Sequence, residues 1–191
     1  MLNLHMTKTI TLYFIFLFSL HANILQESID KAPRGATIKL SSGIYKGNIT
    51  ISKPLSIIGK EENVIIEGEG KGTVITVKSS HVILKNLQIQ NSGNRMEKLD
   101  AAIELHHVKF CEINHCRLID SLYGINMNMV EESRIENNYI TSRKNDIPLR
   151  GDALKIWYAK NNIIKNNIIE STRDVTLTYA HKHYRGKQLF K

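Results

Sequence analysis

The chain has 191 residues, 42% of them hydrophobic, with a formal net charge of +8, and its length predicts one domain. The positive charges are scattered through expected turns (Lys53, Lys60, Lys71, Lys85, Arg117, Arg134) without interleaved aromatics. That argues against a nucleic-acid platform and for solubility, with weak attraction to acidic surfaces or partners.

The first residues have the layout of a secretory signal: Lys8, an apolar run from Ile10 to Leu20, then the small residue Ala22. Cleavage after Ala22 is expected. The run falls short of the about 20 residues a spanning helix needs, so an uncleaved anchor is the weaker reading. No later stretch is apolar enough to span, so no transmembrane segment is expected after cleavage. Removal of residues 1–22 leaves 169 residues and a charge of +7, from 25 Lys and Arg against 18 Asp and Glu.

Residues 24–32 (ILQESIDKA) carry the apolar spacing of a short amphipathic helix, placed to cap the first coil of strands and to cover its exposed edges. Gly43-Ile44-Tyr45 and the segment from Pro54 to Gly59 then alternate short strands with turns.

From residue 75 onward one spacing recurs. Paired apolar residues two apart (Ile75 and Val77, Ile103 and Leu105, Ile125 and Met127, Leu154 and Ile156) precede sets with offsets 0, 2, 5 and 7. These sets are Val82, Leu84, Leu87, Ile89; Cys111, Ile113, Cys116, Leu118; Ser133, Ile135, Asn138, Ile140; and Asn162, Ile164, Asn167, Ile169. A step of two marks a strand with one buried face, and a step of three marks a turn. Two to three such strands per coil, stacked on those of the next coil, predict an all-β, right-handed parallel β-helix over 23–174, with coils of about 22 residues and the N-terminal helix as its cap.

The third offset falls at Leu87, Cys116, Asn138 and Asn167, separated by 29, 22 and 29 residues. The extra residues are two polar inserts, GNRMEKL (93–99) and KNDIPLR (144–150), each placed just before a coil starts at Asp100 or at Gly151-Asp152. Inserts in a solenoid project from one side, commonly the binding side. Asn138 and Asn167 at equivalent inward turn positions predict an asparagine stack. Cys111 and Cys116 fall at inward positions too: packed thiols, a disulfide and a metal pair are all open.

Two segments carry a resemblance. LQESIDKAPRGATIKLSSGIYKGNITISKPLSIIG is similar to the opening of many exported β-helix proteins, carbohydrate-binding and sugar-cleaving ones among them. RGDALKIWYAKNNIIKNNIIESTRD (150–174) resembles the NosD family of nitrous-oxide reductase maturation proteins, in the Arg-Gly-Asp that opens a coil, the Trp-Tyr that ends its strand and the Arg-Asp that opens the next. The resemblance spans Leu25 to Asp174. It implies a periplasmic, non-enzymatic accessory protein working with ABC transporter subunits to assemble the copper–sulfide centre of nitrous-oxide reductase, with an indirect role toward copper. Family members are about twice as long, and past Asp174 the Asn-x-Ile-x-x-Asn pattern gives way to VTLTYAHKHYRGKQLF, so residues 175–191 are expected to be an irregular, truncated or frameshifted tail.

The other reading is a polysaccharide lyase, a hydrolase or a non-catalytic carbohydrate-binding protein. Glycoside hydrolysis needs two carboxyl groups about 5–10 Å apart, and Asp100, Asp152 and Asp174, each at a coil start, are the candidates. Arg150 and Arg173 beside two of them are expected to pair with them and make the row structural. A calcium site needs a denser carboxylate cluster than any here. The binding edge is therefore assigned to Asp100, Arg150, Asp152, Trp157, Tyr158, Arg173 and Asp174, with Trp157 and Tyr158 expected to point to opposite faces. Soft ligands for copper exist in His106, His107, Cys111, His115, Cys116, Met127 and Met129. Met127 and Met129 continue the inward series from Ile125 and are read as core, His106-His107 as a turn pair, and His181-x-His183 carries no weight.

Overall fold

The computed structural model describes residues 23–179 and 189–190. Lys8, the apolar run 10–20, Ala22, His181 and His183 lie outside the described residues.

A single helix, α1 (Ile24–Lys31), opens the described chain. Asn23 caps it, its Oδ1 accepting from the Gln26 amide at 3.0 Å. Leu25 and Ile29 are buried. The Gln26 side chain then imitates a strand: Nε2 donates to Thr50 O (3.1 Å) and Oε1 accepts from Thr50 N (2.7 Å). The open strand edge at Thr50 is thereby satisfied.

The strands are arranged in rungs of three: β1 (Ala36–Leu40), β2 (Gly43–Lys46), β3 (Ile49–Ile51); β4 (Leu55–Gly59), β5 (Val64–Glu67), β6 (Ile75–Val77); β7 (Ile83–Lys85), β8 (Gln88–Gln90), β9 (Ala101–His106); β10 (Glu112–Asn114), β11 (Arg117–Ser121), β12 (Tyr123–Asn128); β13 (Arg134–Glu136), β14 (Tyr139–Ser142), β15 (Leu154–Trp157); β16 (Ile163–Lys165), β17 (Ile168–Glu170), β18 (Thr176–Tyr179). Then comes β19 (Leu189–Phe190). First, second and third strands of successive rungs form parallel sheets A, B and C, and the whole is a right-handed parallel β-solenoid.

Register explains the spacing read from the sequence. Ile57, Leu84, Ile113, Ile135 and Ile164 form one inward column in sheet A. Sheet B contributes Ile66, Ile89, Leu118, Ile140 and Ile169. Sheet C contributes Ile49, Ile75, Ile103, Ile125 and Leu154. All of these are buried in one continuous core, each worth roughly 1.5–3 kcal/mol of burial.

The coil length corrects the sequence reading: equivalent residues are 19 apart from Ile38 to Ile57, 27 to Leu84, 29 to Ile113, 22 to Ile135 and 29 to Ile164. The coil averages about 26 residues; 22 is the length of the one coil that lies between the two inserts, from Ile113 to Ile135. Pairing also continues past Asp174. Strand β18 pairs with β15, and β19 with β17. The inward positions of β18, above Leu154 and Ile156, are the threonines 176 and 178, which is why the apolar pattern fades there while the backbone pairing does not.

At each corner the chain turns through left-handed residues. The A–B corner uses Asn63, Asn86, His115, Asn137 and Asn166, all at φ between 51 and 60°. Behind them Asn138 Nδ2 donates to Asn167 Oδ1 (3.0 Å) and to Ile113 O (3.0 Å), while Asn138 Oδ1 accepts from Cys116 N (2.9 Å). A parallel ladder runs through Ser133 and Asn162, the latter accepting from Ser133 N at 2.9 Å and donating to Val130 O at 2.8 Å.

Candidate functional site

The two inserts meet at the B–C corner. Asn145 Nδ2 donates to Asn94 Oδ1 (3.2 Å), and Arg143 Nη2 donates to Ser92 O (2.8 Å), across the short coil that lies between them. Met96 and Leu99 of the first insert pack on Ala101, Leu122 and Tyr123, a second apolar cluster outside the solenoid core. Gly124 sits where β12 passes closest to its neighbour; a Cβ there would strike the Ala153 carbonyl.

The two buried carboxylates of this corner, Asp100 and Asp152, are committed to arginines. Asp100 is buried and accepts from Arg95 Nε (3.0 Å), Nη2 (3.1 Å) and backbone N (3.0 Å). Asp152 is 0% exposed and accepts from Arg173 Nη2 (2.9 Å) and Nε (3.2 Å) through Oδ1 alone, leaving Oδ2 buried with no hydrogen bond. Burial, against the pull of Arg173, holds the Asp152 carboxyl above its ordinary value. Burial and then the Asp152 charge likewise raise the Tyr123 hydroxyl, with Arg173 opposing. Asp174 is exposed and touches Arg173 at 3.4 Å. Arg150 does not pair with Asp152 as its sequence position suggests: its guanidinium reaches the carbonyls of Asn145 (2.7 Å) and Ser171 (3.4 Å), because the insert folds back over it.

Nor do the three aspartates form a continuous row. Asp152 and Asp174 share a register, two residues ahead of Leu154 and Thr176. Between Asp152 and Asp100 lies a coil that presents Leu122 and Tyr123 instead.

Trp157 and Tyr158 occupy the opposite margin of sheet C from Asp152, five residues further along the chain, or roughly 16 Å of extended strand. They are not divided between inside and outside. Trp157 is half-buried on the outer face, and Tyr158, at φ 49°, is exposed, with its ring centroid 5.7 Å from that of Trp157. The left-handed turn breaks the alternation. Between the two margins lies an outer face that sequence reasoning missed. Glu104, Asn126 and Lys155 are stacked in one column, His106, Asn128 and Trp157 in the next. Asn126 is buried although it faces outward. Lys155 Nζ lies 5.8 Å from the Tyr123 ring and 6.0 Å from the Trp157 ring. The available signal was the polar residue recurring between inward apolar pairs: Glu104, Asn126 and Lys155.

The soft donors separate as well. Cys111 and Cys116 are free and buried, their sulfurs directed at carbonyls of Ser79 and Lys109 and of Leu84 and Asn114 respectively. Burial pushes the Cys116 thiol up to about 12, away from the thiolate that metals need. Met127 is buried, but Met129 is not core: it stands at φ 52° and is 44% exposed, because β12 ends at Asn128 and the chain turns outward one residue early. His106 and His107 have ring centroids 4.3 Å apart, with His106 Nδ1 3.3 Å from Asn128 Nδ2. Among the described residues no three His, Cys, Asp or Glu side chains converge as metal ligands, and no helix is long and apolar enough to cross a membrane.

This architecture is that of the right-handed β-helix proteins, and the chain belongs to their family, which matches residues 72–183. Among curated proteins it is similar to the probable ABC transporter binding protein NosD of Pseudomonas aeruginosa, 25% identical over 140 residues, or 71% of this chain and 32% of that protein. The chain thus spans about a third of the length of that relative. Among solved structures it is similar to an alginate lyase from a Paenibacillus species (TM-score 0.64, 18% identity, 76% of this chain and 55% of that one). A Parabacteroides merdae protein assigned to the glycosyl hydrolases matches with TM-score 0.69 and 11% identity over 88% of both chains. Identities this low show a shared fold.

Proposed function

We propose that this chain is a non-catalytic, periplasmic β-helix of NosD type, which associates with an ABC transporter and supports assembly of the copper–sulfide centre of nitrous-oxide reductase. The observation that carries the reading is the similarity to NosD over 71% of the chain. The state of the carboxylates supports it. A glycosidase or lyase needs an acid or base that reaches substrate, and both buried aspartates of the coil starts are instead locked under arginines. The outer face of sheet C, from Tyr123 and Lys155 to Trp157, is the surface offered to a partner.

The test is co-purification of the tagged full chain with transporter subunits co-expressed from the same source, alongside loading of nitrous-oxide reductase with its copper–sulfide chromophore. Capture that is lost in a Lys155→Glu/Trp157→Ala variant is expected. Cleavage of alginate or pectin by the purified chain, abolished by Asp152→Asn, would overturn the reading in favour of a carbohydrate-active enzyme.

A further inference from the structure

The two inserts leave the same corner, and they treat their apolar residues in opposite ways. Met96 and Leu99 of the first turn inward and pack on Ala101, Leu122 and Tyr123. Ile147 and Leu149 of the second turn outward, 63% and 56% exposed, with Pro148 between them exposed as well. The second loop is nonetheless firmly built. Asn145 Nδ2 donates to Leu149 O (3.3 Å) and to Asn94 Oδ1 of the first insert (3.2 Å), and Arg150 Nε donates to Asn145 O (2.7 Å). The Leu149 and Arg150 amides close the turn on the Asp146 and Ile147 carbonyls. Polar side chains are spent on holding this loop while its apolar ones face water, the reverse of what burial favours. A single exposed apolar side chain needs no explanation, but a tip of three on a fixed loop does.

Shape and charge select what covers it. A stable protein interface takes roughly 800 Å² from each partner, and this narrow convex tip has no apolar surround to supply it. The other large exposed side chains of sheet C's surroundings, Met129 and Tyr158, stand on the opposite margin of that sheet. A lipid surface deforms around a tip and needs no matching socket. The charges around the tip are positive. Lys144 is exposed and in no ion pair, and the Arg150 guanidinium meets only carbonyl oxygens, so its charge is not cancelled by a carboxylate. Asp146 is the single acid of the insert; Arg143 is paired with Asp120 at 3.0 Å. Apolar side chains at the point with cations behind them suit the boundary between acyl chains and anionic headgroups.

We propose that the insert 144–150 is a membrane-contacting tip: Ile147, Pro148 and Leu149 enter the surface of an anionic phospholipid bilayer while Lys144 and Arg150 lie among its phosphates. This goes beyond the transporter-associated reading and does not rest on it, because lipid alone suffices for the contact.

The test uses the purified full chain with vesicles and nanodiscs of phosphatidylglycerol and phosphatidylcholine. Spin-labelled lipid in the nanodiscs is expected to broaden the methyl resonances of Ile147 and Leu149 and to spare those of Ile44 and Ile168, which are exposed elsewhere. This readout is local to the insert, whatever the apolar run 10–20 does. In vesicle flotation, Ile147→Ser/Leu149→Ser is expected to weaken binding at least about tenfold. Lys144→Gln should weaken it about fivefold on vesicles containing phosphatidylglycerol and leave binding to phosphatidylcholine alone unchanged. All three side chains are exposed, so the variants should keep the parent's melting temperature. Ile147 and Leu149 methyls that stay sharp beside the spin label would overturn the proposal, as would flotation that both variants leave unchanged. The same methyls answering only to transporter in detergent would overturn it in favour of a protein socket.

Discussion

Two corners of this solenoid make the same turn with different residues. At the A–B corner the left-handed positions are mostly asparagines whose side chains bond along the stack, Asn137 to Asn114 at 3.2 Å and Asn166 to Asn137 at 3.4 Å. At the C–A corner the equivalent demand falls on an imidazole, a thioether and a phenol, all turned to solvent, and one rung-column further on His81 is stacked on Phe110 at 5.1 Å. A backbone constraint satisfied by the locally cheapest residue is part of the fold. The same constraint met by costlier residues, His107, Met129 and Tyr158 here and His115 at the A–B corner, leaves strain in the backbone.

The comparison can be broken experimentally, and the third corner supplies the largest effect. Arg173→Met leaves the fully buried Asp152 without its cation and should cost about 3–5 kcal/mol in urea unfolding. Asp152→Leu/Arg173→Met together should recover most of that loss. The sign with pH comes from the raised Asp152 carboxyl. Its contribution is fully present below the unfolded value of about 3.9 and is lost as pH rises through the folded one. The stability of Asp152→Asn relative to the parent should therefore increase from pH 3 toward neutrality, and a difference flat in pH would show that the carboxyl is not held up by burial.

Next in size is Asn138→Ala, which leaves the buried Cys116 amide without its acceptor and removes the side-chain bond to the Ile113 carbonyl, and should cost about 2–3 kcal/mol. If the A–B corner tolerated alanine without loss, its ladder would not be structural. The smallest effect has the opposite sign: Met129→Asn should raise stability by about 0.5–1 kcal/mol, as relief of left-handed strain, visible as a higher melting temperature. A drop there would mean that the Met129 side chain supports packing that its exposure conceals.

The apolar columns were legible because a strand period of two leaves no freedom: once Ile113 and Leu118 face inward, Ile135, Ile140, Ile164 and Ile169 must do the same. Insert positions were legible for the same reason. Partner choice was not. Arg150 is adjacent in sequence to the coil start at Asp152, yet it binds carbonyls, whereas Arg95 reaches forward five residues to Asp100 through the fold of its insert. Sequence distance does not encode how a loop closes. Met129 was misread because a strand period was extended one step past the residue where the strand stops, and the outer columns of sheet C were overlooked because polar residues on a strand usually signify only solvent. The C–A column shares its left-handed requirement with asparagine turns, but nothing in the letters His, Met and Tyr announces that backbone.

The contact between the inserts sets the unit in which this chain can lengthen or shorten. Asn94 and Asn145, like Ser92 and Arg143, are 51 residues apart, and so are Leu84 and Ile135 across two coils. From Leu84 onward a long coil joined to a short one is thus the repeating step, 51 residues from Leu84 to Ile135 and again from Ile113 to Ile164. Excising 51 residues should close the solenoid on itself with its apolar columns in register, leaving a single insert without the contact between Asn94 and Asn145. Excising one short coil would set two long coils side by side, with both inserts competing for space that the short coil had left open. The grammar of the molecule is written in couplets, and its loops rhyme only on alternate lines.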